Sequence, residues 1–153
     1  MLVNLSANLI RELSQRLQAL PEAEKAFLPH DCDIETLENL LKQKDKHYYI
    51  YLDDARRFAG YGTVRAWEGY DTPTLGCVIW PEYRRGGHGA RLVSELISKA
   101  RELGYSSIKL KVSLKNEVAH RLYVRLGFEE TGEVAADGQI WMQRKTDKGP
   151  KDA

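Results

Sequence analysis

The feature that most constrains the fold is a glycine loop between an apolar run and a helical pattern. Residues 75–80 are apolar on both pleat faces, which is typical of a strand buried in a sheet, and Pro81 ends the run. Three glycines follow within residues 86–89. Apolar residues then recur at helical spacing until Gly104. The sequence therefore predicts a strand, a glycine loop and a helix in direct succession.

Such a junction is suited to binding an anion. Glycine lacks a Cβ atom, so backbone N–H groups can turn toward a phosphate, and the start of a helix favours negative charge. Arg84 and Arg85 add forked donors for phosphate oxygens. A tight turn with solvated arginines is the alternative, but the three glycines and two arginines together favour a phosphate-binding loop. The Walker and dinucleotide-binding spacings are absent, which disfavours sites of the ATP and NAD types.

The loop matches the pyrophosphate-binding motif Arg/Gln-x-x-Gly-x-Gly/Ala of the GCN5-related N-acetyltransferase superfamily, read here as Arg84-x-x-Gly87-x-Gly89. A second segment, residues 116–128, is similar to the family's Asn-x-x-Ala-x-x-Leu-Tyr-x-x-x-Gly-Phe pattern. The two motifs stand in the family's order. The chain therefore resembles this superfamily, and the resemblance extends from about residue 58 to residue 143.

The resemblance implies an α/β fold with a mixed, mostly antiparallel central sheet flanked by helices in a single domain. We expect this domain to cover residues 1–145. Residues 1–45 would form a helical segment on the acceptor side, and residues 46–145 would form the sheet and the acetyl-CoA-binding core. The polar residues 146–153 are predicted to form a disordered tail.

The hydrophobic pattern predicts the order of the elements. Leucines spaced by three and four residues indicate a first helix over residues 5–20, which Pro21 ends, and Asp33 is placed to cap a second helix. The predicted strands cover residues 48–52, 58–67, 74–80, 108–114 and 140–143, with a closing hairpin that turns at residues 136–139.

Composition excludes several classes of function. The net charge of +1 does not suggest a nucleic-acid or membrane partner. No signal segment opens the sequence, and no apolar run approaches the ~20 residues of a membrane span. Cys32 and Cys77 fall in a loop and a buried strand, so we expect a reduced, cytoplasmic protein. The run His30-Asp31-Cys32-Asp33 is not expected to bind a metal, because adjacent loop residues rarely converge.

The resemblance implies acetyl-CoA as cosubstrate and assigns residues to it. The strand main chain would hold the pantetheine arm, and the loop would surround the pyrophosphate. At residue 88 the backbone N–H, rather than the imidazole, is the expected ligand. Asn116 would both cap its helix and contact the cofactor arm. The predicted cofactor-binding residues are Cys77, Val78, Ile79, Arg84, Arg85, Gly86, Gly87, His88, Gly89, Ala90, Asn116 and Tyr123.

The predicted catalytic residues are Tyr123 and Glu68. In the family, the tyrosine matched by Tyr123 protonates the departing sulfur, although a buried core tyrosine is the alternative interpretation. A backbone N–H of a bulged strand near Val78 would polarise the thioester carbonyl. Some relatives carry a glutamate base where this chain has Lys111. The base must then be another residue, a water chain, or nothing at all for an amine of low pKa. Among the carboxylates near the strand ends, Glu68, Asp71 and Glu82, we favour Glu68, because it lies in an aromatic and acidic turn.

The expected reaction is direct transfer of the acetyl group to the primary amine of a small molecule, such as an amino sugar or a polyamine-like metabolite. Two alternatives stay open. The acceptor could be a protein N-terminus or a lysine, or the chain could be an acyl-CoA sensor without catalysis. Dimers are common in the family that the chain resembles, so the resemblance also allows a homodimer.

Overall fold

The computed structural model of the protein describes residues 1–67 and 71–147. The strands are β1 Leu2–Asn4, β2 Lys46–Leu52, β3 Phe58–Arg65, β4 Thr74–Ile79, β5 Ser107–Val112, β6 Glu129–Val134 and β7 Ile140–Lys145. The helices are α1 Ile10–Gln18, α2 Glu22–Lys25, α3 Ile34–Leu40, α4 His88–Glu102 and α5 Glu117–Arg125. Short 3₁₀ turns occupy Ala7–Leu9 and Pro81–Tyr83.

One seven-stranded sheet contains every strand of the described residues, in the order β1-β2-β3-β4-β5-β7-β6. Adjacent strands in this sheet are antiparallel, except β4 and β5, which are parallel and pair at Thr74 and Lys109. The Lys109 N–H donates to the carbonyl of Pro73 at 3.1 Å. Beyond this point the described residues of β4 and β5 form no further pair, so a cleft opens toward their C-terminal ends. The predicted fold class is confirmed.

Two hydrophobic clusters cover the two faces of the sheet. Helices α4 and α5 pack on one face, where Leu92, Leu96 and Tyr123 belong to the buried cluster. Helices α1 and α3 cover the other face around Leu13 and Leu37, both of which are completely buried. The cleft between β4 and β5 therefore has one wall from each helical layer.

The close approach of α4 to the sheet fixes the position of the glycine loop. A Cβ atom at Gly62 of β3 would lie 2.9 Å from a methyl group of Leu96 and 3.0 Å from one of Leu92. A side chain larger than hydrogen would force these leucine side chains to move. Because α4 begins where the loop ends, this packing also places the loop at the mouth of the cleft.

The structure differs from the sequence prediction at both ends of the chain. The segment predicted to begin the first helix is extended instead, since Leu5 N–H donates to Tyr48 O at 2.9 Å and β1 pairs with β2. The leucine spacing there reflects burial of an edge strand and a 3₁₀ turn, so α1 begins at Ile10. Thr146, which we placed in a disordered tail, is 2% exposed and hydrogen-bonds to Ser106 and Tyr105. No helix of the described residues is both long and apolar enough to span a membrane.

Candidate active site

The loop between β4 and α4 presents a row of backbone N–H groups. Arg85 and Gly87 both have left-handed backbones, with φ of 71° and 82°, and Gly87 caps α4. Within the described residues, no N–H from Arg85 to Ala90 donates to a protein acceptor, and the first helical hydrogen bond is Arg91 N–H to Gly87 O at 3.3 Å. Consecutive free donors at a helix start fit an anionic diphosphate.

Two side chains of this loop are occupied by contacts with the rest of the protein. The Nδ1 atom of His88 lies 2.9 Å from the hydroxyl of Tyr51, so its imidazole is held against β2. Arg84 donates from Nε to Ile79 O at 2.9 Å and forms an ion pair with Glu24 of α2. The geometry at His88 agrees with a role for its N–H. The guanidinium of Arg84 braces the end of β4 against α2.

The main chain of β4 turns alternate residues toward the cleft. Trp80 N–H donates to Ala59 O of β3, whereas Pro73 O accepts from β5. Because strand polar groups alternate in direction with a period of two, Cys77 and Ile79 present their N–H and C=O groups to the cleft, and Val78 pairs with β3. The β3–β4 register has no shift around Val78.

This register corrects one expectation. We predicted a bulge near Val78 whose N–H would polarise the thioester, but the register shift lies between Tyr51 and Leu52 of β2, opposite β3. A single apolar run cannot reveal which of its residues face a missing neighbour. The cleft-facing donors are those of Cys77 and Ile79.

A buried phenol and a buried thiol meet on the floor of the cleft. Tyr123 Oη lies 3.3 Å from Cys77 Sγ, and Tyr123 is 9% exposed. Burial, reinforced by the neighbouring thiol, raises the pKa of Tyr123 well above its ordinary value of 10.0. Burial also raises the pKa of the Cys77 thiol. Tyr123 is therefore a neutral proton donor that already contacts sulfur.

Asn116 caps α5, as its position before the helix predicts. Its Oδ1 accepts from Ala119 N–H at 3.2 Å, and its own N–H donates to Ser113 O at 2.9 Å. Its Nδ2 donates to no acceptor among the described residues. The side chain lines the cleft across from β4, where that amide can donate to a ligand.

The cleft encloses about 1000 Å³. At one end it reaches Ile79, next to the glycine loop. At the other end it is lined by side chains from β3, from the segment that joins α2 to α3, and from the closing hairpin; these include Phe27, Leu28, Tyr61, Thr63, Arg65, Trp67, Lys111, Asp137 and Trp141. The site therefore has a cofactor half and a second half suited to an acceptor.

A histidine that we did not assign to the site supports the wall of this second half. His30 Nδ1 lies 2.8 Å from Asp31 O, and its Nε2 lies 2.8 Å from the Tyr61 hydroxyl. A carbonyl can only accept, so Nδ1 carries the proton and Nε2 accepts from Tyr61. Burial lowers the pKa of His30 from 6.5. A neutral imidazole thus stands behind a cavity-lining phenol.

Charged residues at this end are mostly paired. Lys111 Nζ lies 3.5 Å from Asp137 Oδ2, so this exposed lysine has a carboxylate partner. The guanidinium of Arg65 stacks 5.0 Å from the ring centre of Trp67. Glu68, the predicted base, lies outside the described residues. No three metal-ligating side chains converge within residues 1–67 and 71–147.

Comparison with known proteins supplies the context for this geometry. Residues 12–128 match the acetyltransferase (GNAT) family. The ribosomal protein bS18-alanine N-acetyltransferase of Escherichia coli K12 is 27% identical over 119 residues, which cover 77% of this chain and 71% of that protein.

Two solved structures share the fold. The spermidine N-acetyltransferase of Vibrio cholerae, in complex with CoA and spermine, superposes with a TM-score of 0.82 and 18% identity and covers 97% of this chain and 96% of that one. A GNAT-family acetyltransferase of Staphylococcus aureus Mu50 has a TM-score of 0.72 and 16% identity, with 96% and 99% covered.

The burial of His30 predicts a pH dependence of stability. Its folded pKa lies below the unfolded value of 6.5, and the same holds for His47, because burial disfavours the cation. The contribution of these two neutral histidines to the free energy of unfolding is therefore complete above pH 6.5. It is lost as the pH falls through the folded pKa. We expect the free energy of unfolding to decrease from pH 7 to pH 5.

Urea denaturation across this range measures the effect. The variant His30→Gln should show a shallower decrease, with the remainder due to His47. Asp33, Asp53, Glu82 and Asp137 have lowered pKa values and so titrate below this window. Parallel curves for the variant and the parent would contradict the assignment.

Proposed function

The chain belongs to the acetyltransferase (GNAT) family, and on that premise we propose that it transfers the acetyl group of acetyl-CoA directly to the primary amine of a small molecule. It is an acyltransferase that uses acetyl-CoA. The observation that carries the finer proposal is one cleft that runs from Ile79 and Arg84, next to the free N–H groups of residues 85–90, past Tyr123 to an acceptor half.

The residues of the cofactor half fit coenzyme A. The N–H groups from Arg85 to Ala90 would hold the pyrophosphate. The cleft-facing main chain of Cys77 and Ile79 would pair with the amides of the pantetheine arm as a neighbouring strand does, while Val78 would contribute packing. Asn116 would donate its Nδ2 to the arm from the opposite wall. The arm therefore occupies the gap that β5 leaves along β4.

Acetyl-CoA supplies the thioester whose acyl carbon the amine attacks. As the C–N bond forms and the C–S bond breaks, one proton leaves the amine and the sulfur takes one up. A main-chain N–H of Cys77 or Ile79 polarises the carbonyl. Tyr123 donates its proton to the sulfur. Burial raises the pKa of both Tyr123 and the Cys77 thiol on this floor, so a thiolate that leaves there is a stronger base while the phenol is a weaker acid.

The amine proton has two candidate acceptors. Glu68 stays a prediction from the sequence. Among the described residues, Tyr61 lines the acceptor half and its hydroxyl donates to His30 Nε2, so Tyr61 can pass a proton to His30 while it takes one from the amine. We favour the pair of Tyr61 and His30, because its geometry already sets the direction of transfer.

The related proteins and the cleft itself bear on the choice among the possible functions. A polyamine is the substrate named for one structural neighbour, and a protein N-terminal alanine for the Escherichia coli relative. A cleft of about 1000 Å³, which must also hold the cofactor arm, favours a small acceptor over a folded protein. A phenol that stays protonated on the cleft floor, at Tyr123, favours an enzyme over an acyl-CoA sensor. Homodimer formation and a cytoplasmic location stay predictions.

Gly87 provides the test of cofactor binding. It has φ of 82°, and no atom lies within 4 Å of the position that a Cβ would take, so Gly87→Asn can keep the backbone while its side chain enters the cradle. We expect at least a tenfold weaker affinity for CoA by calorimetry. Gly132→Asn is the matched control, since Gly132 shares the left-handed φ and the open surroundings but lies on β6.

The control variant Gly132→Asn should change the free energy of unfolding as much as Gly87→Asn does, and it should keep the parent's affinity for CoA. Gly89→Ala should also bind CoA within a few-fold of the parent, because a Cβ there makes an ordinary 3.4 Å contact with Leu122. Equal affinities for Gly87→Asn and the parent would eliminate the proposed cradle.

Tyr123 provides the test of acid catalysis. The variant Tyr123→Phe keeps the ring that packs 5.9 Å from Phe128 but removes the proton donor. We expect kcat to fall by about 10²-fold, within the range for loss of a general acid, while CoA affinity stays unchanged. Release of CoA at saturating amine measures kcat. Tyr105→Phe serves as a control on the same hydrophobic cluster. An unaltered kcat in Tyr123→Phe would remove the acid role.

Glu68 and His30 provide the test of the base. If Tyr61 and His30 accept the proton, His30→Gln should lower kcat/KM at pH 7 by about 10²-fold, and Glu68→Gln should leave it within a few-fold. The affinity of each variant for CoA separates this effect from misfolding. The reverse result would assign the base to Glu68 and leave His30 a structural role.

A further inference from the structure

Arg65 lies at the end of the cleft that is remote from the glycine loop. It pairs with Thr74 across β3 and β4, three residues before Cys77, whereas the loop follows Ile79 in the opposite direction. At about 3.3 Å per strand residue, Arg65 is displaced about 10 Å from the level of Cys77. Its side chain shares a face with Tyr61 and Thr63, and all three line the cleft. Arg65 is therefore on the acceptor side of the reacting sulfur.

The guanidinium of Arg65 has unused hydrogen-bonding capacity. Its Nε is buried and has no hydrogen-bond partner. In the part of the chain that the structure describes, Arg65 forms no ion pair with a carboxylate; its guanidinium stacks on Trp67 at 5.0 Å and also interacts with the Tyr48 hydroxyl. A buried donor without a partner costs free energy, and a guanidinium fork matches a carboxylate in two parallel hydrogen bonds. A carboxylate in the cleft would give the terminal nitrogens of this guanidinium such a partner.

The net charge of the cleft lining also favours an acceptor that carries a negative group. The described lining has four cationic side chains, namely Arg65, Arg84, Lys111 and Lys115, against the two carboxylates of Glu24 and Asp137. Glu24 is paired with Arg84, and Asp137 with Lys111. A polycationic acceptor would meet excess positive charge here and no free described carboxylate. This disfavours the polyamine-like acceptor that the sequence suggested.

We infer that Arg65, stacked on Trp67, binds a carboxylate of the acceptor, so that the enzyme selects amines that carry a carboxylate several bonds from the reacting nitrogen. The inference rests on the proposed acetyl transfer and names its substrate class. Tyr61, Thr63 and the apolar side chain of Phe27 would contact the chain between the two charged ends. Arg65 acts as a specificity determinant and takes no part in bond making.

Three amines of the same chain length isolate the effect of the terminal group. 5-Aminopentanoate, pentylamine and cadaverine share four methylenes next to the amine and end in a carboxylate, a methyl group and an aminomethyl group. With the full chain and saturating acetyl-CoA, we expect kcat/KM for 5-aminopentanoate to exceed that for pentylamine at least tenfold. Cadaverine should be the poorest of the three. CoA release gives each value, and mass spectrometry confirms the acetylated product.

Variants of Arg65 assign the preference to that side chain. Arg65→Met should bring the ratio of 5-aminopentanoate to pentylamine close to one, chiefly through KM, and Arg65→Lys should keep part of it. Arg11→Met, on the solvent face of α1, should keep the full ratio. CoA affinity should be the same in all three, which shows that they are folded.

Two results overturn the inference without touching the proposed function: a ratio of one or less in the parent while any amine is acetylated, or a tenfold ratio that survives in Arg65→Met. If no amine in the series, nor a wider panel that includes spermidine, releases CoA from a protein that binds it, the proposed transfer itself fails and the inference fails with it.

Discussion

The parting of β4 and β5 after their pair at Thr74 and Lys109 is the constraint on which the site depends. Parallel neighbours normally satisfy each other's main-chain groups along their whole length. Here the N–H and C=O groups of Cys77 and the N–H group of Ile79 face the cleft without a strand beside them, while the Ile79 carbonyl accepts from Arg84 Nε. Buried main-chain groups without partners are costly, so the cleft is stabilised when an extended, amide-containing ligand takes the place of the missing strand.

The same parting orders the chemistry along the cleft. Its open end meets the start of α4, where the N–H groups of residues 85–90 favour an anion. Its floor holds Tyr123 against Cys77, in surroundings that keep the phenol neutral. Its closed end holds Tyr61 and Arg65 from β3. A molecule anchored at one end is thus aligned with a proton donor in the middle and an acceptor beyond it.

The cofactor half could be predicted from the sequence and the acceptor half could not, for a physical reason. The glycine loop and the Asn116 cap depend on backbone conformation, which glycines and capping residues specify within a few positions. The contact of Tyr61 with His30 joins residues 31 positions apart on a strand and a loop. The predicted first helix starts before the observed one. Leu5 fits the leucine spacing of the helix because it is buried, but its backbone is extended.

The polar groups of the acceptor half also argue for function, because they do not serve the stability of the fold. His30 is held neutral by burial, Tyr61 is 1% exposed, and Arg65 buries an Nε that has no partner among the described residues. Apolar side chains on the same face of β3 would pack against α1 and α3 without these desolvation costs. A face that could have been hydrophobic is instead polar next to the predicted position of the thioester. His30 and Tyr61 partner each other in the folded chain, and acceptor binding would add a partner for the Arg65 guanidinium, which ties the energetic cost of this polar face to substrate selection.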